Sequence, residues 1–153
     1  MPTRDELDAI AWRSIHERPV RDITEDRGPR PLDYAQLEKK LQAGVEFEHA
    51  WSDFLHAFYD YRVASFFAYP SPPSLNVEMQ AVLAGAAEWL SAEFGLPHPR
   101  WTDDARYFLD SSWDIGEELG LDMSEFLTER LRRSPEAFRK RNVAYDSRNL
   151  IAT

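Results

Sequence analysis

Between Gly44 and Pro70, large aromatic side chains recur at helical intervals. Phe47, Trp51, Phe54, Leu55 and Phe58 fall within a sector of about 100° when each residue advances by about 100°. This spacing does not fit the alternation of a strand, and so many rings on one face need a core to cover them. The segment therefore predicts a long helix over about 45–66 with its aromatic face turned inward. Pro70-Ser71-Pro72-Pro73 ends it, because three prolines in four residues cannot continue a helix.

A second long helix follows over about 76–94. Asn76 is its cap, Met79, Val82, Leu83, Ala86, Trp89, Leu90 and Phe94 form its apolar face, and Gly95 with Pro97 closes it. Upstream, Thr3-x-x-Glu6 reads as a capping box opening a first helix that Pro19 ends. Residues 20–32, with Gly28, Pro29 and Pro31 among alternating charges, read as an exposed linker, so residues 1–32 form a helix plus linker loosely attached to the rest. Asp33 caps a short helix ending at Gly44. Shorter elements follow. Thr102 is expected to cap a helix carrying Tyr107 to Leu109. Asp122-x-x-Glu125 opens another helix, and Ser134-Pro135-Glu136 restarts the chain at a new angle. Val143-Ala144-Tyr145 suits a short strand. The fold class is all-α: one multi-helix domain over 1–153, built on two long aromatic-rich helices with shorter helices near the C-terminus.

Composition bounds the chemistry. The 153 residues are one domain's worth, and an apolar fraction of 43% supplies a core. Cysteine is absent, which excludes disulfides, thiolate metal sites and cysteine nucleophiles and fits a cytoplasmic protein. The N-terminus has no apolar h-region, and no apolar run approaches the ~20 residues that span a bilayer. A formal net charge of −9 argues against a general nucleic-acid binder. That charge is unevenly distributed. Residues 128–153 hold seven basic and three acidic groups, a net +4, whereas residues 1–127 hold eleven and twenty-four, a net −13. The acidic body suits a basic partner. The basic end suits nucleic acid, an acidic patch on a partner, or the protein's own body.

No assembled reactive centre is visible. G-x-S-x-G, P-loop and G-x-G-x-x-G patterns are missing. Asp103-Asp104 and Glu117-Glu118 are adjacent in sequence and diverge on a helix, and the first pair suits a helix first turn. His49, Asp53, His56 and Asp60 form one polar stripe opposite the aromatic face of the 45–66 helix. Imidazole and carboxylate at i, i+4 spacing can ligate zinc or iron, but the H-E-x-x-H order is absent, and a partner surface is the better reading of the stripe. No cofactor is implied.

A resemblance enters at Ser134-Pro135-Glu136-Ala137-Phe138-Arg139-Lys140-Arg141-Asn142-Val143. The segment resembles the closing S-P-x-A-F-R-R-R-N motif of a family of small bacterial, mostly actinobacterial, helical proteins, and Asp146, Leu150 and Ile151 match the tail that follows it. Phe54-Leu55-His56-Ala57-Phe58-Tyr59 is similar to the family's F-L-x-x-F-Y helix. Leu96-Pro97-His98-Pro99-Arg100-Trp101, with Phe108-Leu109 and Trp113, looks like its L-P-x-P-x-W and F-L-x-x-x-W segments. The resemblance spans about 47–151. It departs after Trp113, where Asp114-Ile115-Gly116 stands in place of W-F-x-S. Such proteins are often encoded beside nucleotidyltransferase-like toxins of the abortive-infection type. The resemblance thus implies a non-enzymatic, antitoxin-like partner that neutralises such a toxin through its acidic surface.

The expected partner-binding residues are Phe138, Arg139 and Arg141, with His49, Asp53, His56 and Asp60. Arginines and aromatics are typical interface anchors, and for Phe138 a place in the core competes with that role. Two other readings stand beside this one. The first is a DNA-binding autoregulator using the basic helices over about 123–133 and 135–141. The second is a metal-dependent enzyme using His49, Asp53 and His56.

Overall fold

The computed structural model describes residues 1–26 and 28–151; Arg27 of the predicted linker lies outside the described residues. Six α-helices run in the order α1 (Arg4–Glu17), α2 (Tyr34–Gln42), α3 (Phe47–Tyr61), α4 (Val77–Glu93), α5 (Leu127–Arg133) and α6 (Glu136–Arg139), with short 3-10 turns between them. The described strands are two residues each, β1 (Trp113–Asp114) and β2 (Val143–Ala144), paired in parallel with Trp113 opposite Val143. The all-α reading holds, with α3 and α4 as its two long helices.

The caps explain most of the boundaries. Thr3, Asp33 and Asn76 each accept a hydrogen bond from the backbone N–H three residues on, at 3.1, 2.8 and 2.8 Å. Gly44 and Gly95 adopt positive φ at the ends of α2 and α4. The early end of α3 is a correction to the sequence reading, which carried the helix to residue 66. Arg62 takes a left-handed conformation, φ +50°, and the chain passes into a 3-10 turn over Ala64–Phe67. The predicted helix at Thr102 is also absent: two 3-10 turns, Arg100–Asp103 and Ala105–Tyr107, stand there, and Thr102 is buried.

The core forms where α2, α3 and α4 meet. Tyr34 of α2 is fully buried. Its hydroxyl donates to the Leu83 carbonyl of α4 at 2.7 Å, and its ring packs against Trp51, Phe54, Phe67 and Trp101. Phe54, Phe58 and Phe66 are equally inaccessible. In α4 every residue from Ala81 to Ala87 is buried, so the middle of this helix runs through the interior with no wet face, while Val77, Ala92 and Glu93 at its ends are exposed.

Residues 1–32 are held to this core. Trp12 meets Tyr59 of α3 and Trp89 of α4 edge-on, with ring centroids 6.1 and 5.0 Å apart. The Arg62 guanidinium reaches back to the end of α1 and donates to the Ile15, His16 and Arg18 carbonyls. These are the orphan acceptors a helix C-terminus leaves open. Arg21 N–H donates to the Asp60 carbonyl at 2.8 Å, which seats the predicted linker along α3. No helix among the described residues is long and apolar enough to cross a membrane.

Candidate functional site

Two of the seven expected partner-binding residues lie in the interior, which corrects that expectation. Phe138 is fully buried, its ring stacked on Tyr145 with centroids 4.5 Å apart. Arg141 is also inaccessible. Its Nη1 donates to the Ala137 carbonyl at 2.6 Å, and its Nη2 donates to the Thr102 carbonyl at 2.6 Å and to Glu88 Oε1 at 3.1 Å. Its guanidinium lies over the Phe108 ring, 4.6 Å from the centroid. Neither side chain can touch a partner in this fold. Arg139 is exposed and donates to the Arg132 and Ser134 carbonyls.

The backbone beside Arg141 continues the same lock. Leu109 N–H donates to the Arg141 carbonyl and Trp113 N–H to the Asn142 carbonyl, while the Asn142 side chain donates to the Leu109 carbonyl at 2.6 Å. The 134–143 segment and the 96–113 segment, which carry two of the quoted motifs, are thus packed on each other.

The polar stripe on α3 separates into two parts. His49 is exposed and lies 3.6 Å from Asp53, and Asp53 and His56 are half-buried. Asp60 faces the N-terminal segment instead of a partner. Arg30 contacts its Oδ2 at 2.8 Å and Arg21 at 3.4 Å, and Arg18 approaches Oδ1 at 3.7 Å. Beside it the Tyr61 hydroxyl donates to Asp26. That bond holds the Asp26 carboxyl below its ordinary range and pushes the Tyr61 phenol up.

His49, Asp53 and His56 do not converge as a ligand set. Among the described residues, the trio whose candidate ligand atoms lie within 4.8 Å of one another is Glu88, His98 and Asp103. Glu88 there already pairs with Lys140 at 2.7 Å and with buried Arg141 at 3.1 Å. A divalent cation at that carboxylate would sit beside two fixed positive charges, which disfavours it.

The basic end is largely neutralised by the protein itself. Arg130 pairs with buried Asp114, Arg132 and Arg133 with Glu129, Lys140 and Arg141 with Glu88, and Arg148 with Asp8 and Asp146. A polar hollow of about 830 Å³ beside α1 and α5 shows the same balance: four arginines and four carboxylates line it.

A second cleft, of about 490 Å³, differs in kind. It opens at the N-terminus of α3. Its walls are Phe47, Trp51, Leu55, Ile115 and Ile151, and its charged groups are Glu46, Glu48 and Glu118 with no basic residue among them. Glu118 accepts from the Asn76 side chain at 3.3 Å, and Glu46 and Glu48 have no ion-pair partner among the described residues. Sequence reasoning missed this site. The Phe47-Trp51-Leu55 spacing gave one wall, but nothing in the chain announces that Ile115, Glu118 and Ile151 stand opposite.

Among the described residues, the polar side chains lining the cleft besides its three glutamates are Ser52, Tyr145 and Asn149. Tyr145 on its wall accepts from Trp51 Nε1 at 3.4 Å, and burial pushes its phenol far above the ordinary value, so it stays neutral. What the arrangement offers is apolar surface under an acidic rim. No family model, curated protein or solved structure matches the chain.

Proposed function

We propose that the protein is a non-enzymatic, cytoplasmic protein-binding module. In this reading it is an antitoxin-like partner that neutralises a nucleotidyltransferase-like toxin encoded beside it, through an acidic surface. The partner's identity rests on the resemblance of the Ser134–Val143, Phe54–Tyr59 and Leu96–Trp113 segments. The observation that carries the binding role is the fate of the charges. The basic end finds most of its counter-charges within the chain, so the −9 excess is left to the acidic body, where Glu46 and Glu48 have no ion-pair partner among the described residues. An enzyme that grips RNA needs a basic groove, and an acidic protein of matching shape can occlude it. The same pairing takes support away from a DNA-binding role for the C-terminal helices.

Co-expression with the product of the neighbouring gene tests this. The expected result is a complex that survives size-exclusion chromatography, relief of growth arrest, and an association rate that falls steeply with added salt. No complex and no relief would overturn it. Retardation of the protein's own promoter fragment at physiological salt, without binding to that product, would put the autoregulator in its place.

A further inference from the structure

The acid-rimmed cleft at the start of α3 does more than contribute charge. We propose that it receives a segment of a partner protein that inserts one or two apolar side chains and flanks them with lysine or arginine. The inference rests on the binding-module reading and names the chemistry of the partner at one place on the surface.

Three observations carry it. First, at about 490 Å³ the cleft holds one or two large side chains, the size of a hot-spot pocket and too small for a whole interface. Second, its charge has one sign, from Glu46, Glu48 and Glu118, whereas the neighbouring polar hollow is balanced. A helix first turn gains from one or two acids, but Glu118 belongs to a 3-10 turn over Ile115–Leu119 and arrives from the opposite wall. Third, the walls are firm. Trp51 is 5% and Leu55 2% exposed, and Trp51 is stacked between Phe47 and Phe54, with centroids 5.9 and 5.2 Å away. A pre-formed apolar floor loses little freedom on binding, and a rim whose charged groups are all carboxylates selects cationic flanks and repels anionic ones.

The test uses the full chain and two synthetic hexapeptides: a pair of leucines between lysine pairs, and the same peptide with glutamates replacing the lysines. Binding is followed by fluorescence anisotropy and by methyl NMR shifts of Leu55, Ile115 and Ile151. The lysine probe should saturate with a Kd below about 1 mM, with shifts confined to the cleft, and the glutamate probe should not bind. Glu46→Gln with Glu48→Gln should weaken the lysine probe at least about 5-fold. Ser52→Trp, which fills the cleft from an exposed position, should abolish the shifts while circular dichroism stays native. Charge-independent binding, or binding that survives Ser52→Trp, overturns the proposal. So does a chain ending at Ile151 that binds the probe more than about 10-fold tighter, which would make residues 152–153 the occupant. Concentration-dependent dimers lost in Ser52→Trp would likewise make the occupant a second copy. If the Ser52→Trp protein still neutralises the neighbouring gene product with unchanged affinity, the cleft proposal fails and the module reading stands. If the lysine probe binds as expected and that product does not, the module reading fails and the cleft stands.

Discussion

Arg141 shows how a motif's chemistry and its role can part. The sequence offers an arginine in a basic run, the residue type that favours interfaces. The fold places it at 0% exposure, where it joins Ala137, Thr102 and Glu88, three points on different parts of the chain. A planar fork of fixed donors can satisfy two carbonyls and a carboxylate together, which a lysine ammonium cannot match in geometry. Arg141→Met should therefore cost about 3–5 kcal/mol in urea unfolding, because two carbonyls lose their donor and Glu88 keeps only Lys140. Arg141→Lys should recover less than half of that loss. An unchanged unfolding midpoint in both would mean that the cluster contributes nothing net. Asp60 went the same way on a smaller scale: its position on the polar stripe was legible, but its three arginine neighbours, 30 to 42 positions away, were not.

Among the elements, α4 was the most legible and still held the largest surprise. Its cap, its end and its apolar face at Met79, Val82, Leu83, Ala86 and Leu90 stand as the sequence predicts. The sequence reading named no partner for the other face, where Ala84 and Gly85 carry no strong hydrophobic signal, yet both are buried. It is buried because α6 packs there, and the small side chains let it approach closely. A Cβ on Gly85 would lie 2.7 Å from Phe138 Cδ1 and 3.3 Å from the Ala137 carbonyl. Phe138 is stacked on Tyr145 and cannot easily give way. Gly85→Ala should therefore destabilise the protein. Overpacking costs about 1–3 kcal/mol, against a helix-propensity gain of about 1 kcal/mol. Thermal melts should show the midpoint lowered by a few degrees, and a raised midpoint would mean that α6 is free to shift. The end of α3 was illegible for a different reason. Val63 to Phe67 continue the apolar composition, but Arg62 turns left-handed to reach the α1 carbonyls, which is a demand of tertiary contact.

At the scale of the whole molecule, residues 1–32 are fastened to the body by ring contacts at Trp12, by Arg62 and by the Asp60 cluster. The polar part of that fastening can be removed without touching the core. Asp60→Asn should speed tryptic cleavage after Arg21 roughly 5- to 30-fold, the effect of one or two kcal/mol on local opening, while circular dichroism of the folded protein stays unchanged; Arg18 and Arg30 precede prolines and resist trypsin. Cleavage at the original rate would assign the attachment to Trp12 and Arg62 alone. The two charge halves of the molecule also meet only at this scale. By itself, the sequence determined the helical class, the two long helices, most caps and the uneven distribution of charge, because periodicity, turn chemistry and charge are properties of neighbouring residues. The tertiary structure alone decided which basic groups are neutralised, that Phe138 and Arg141 are interior, and that Phe47, Trp51 and Leu55 share a cleft with Ile115, Glu118 and Ile151. The physical reason is that burial and most of the pairing depend on segments far apart in the sequence, and no local pattern records where those segments come to rest.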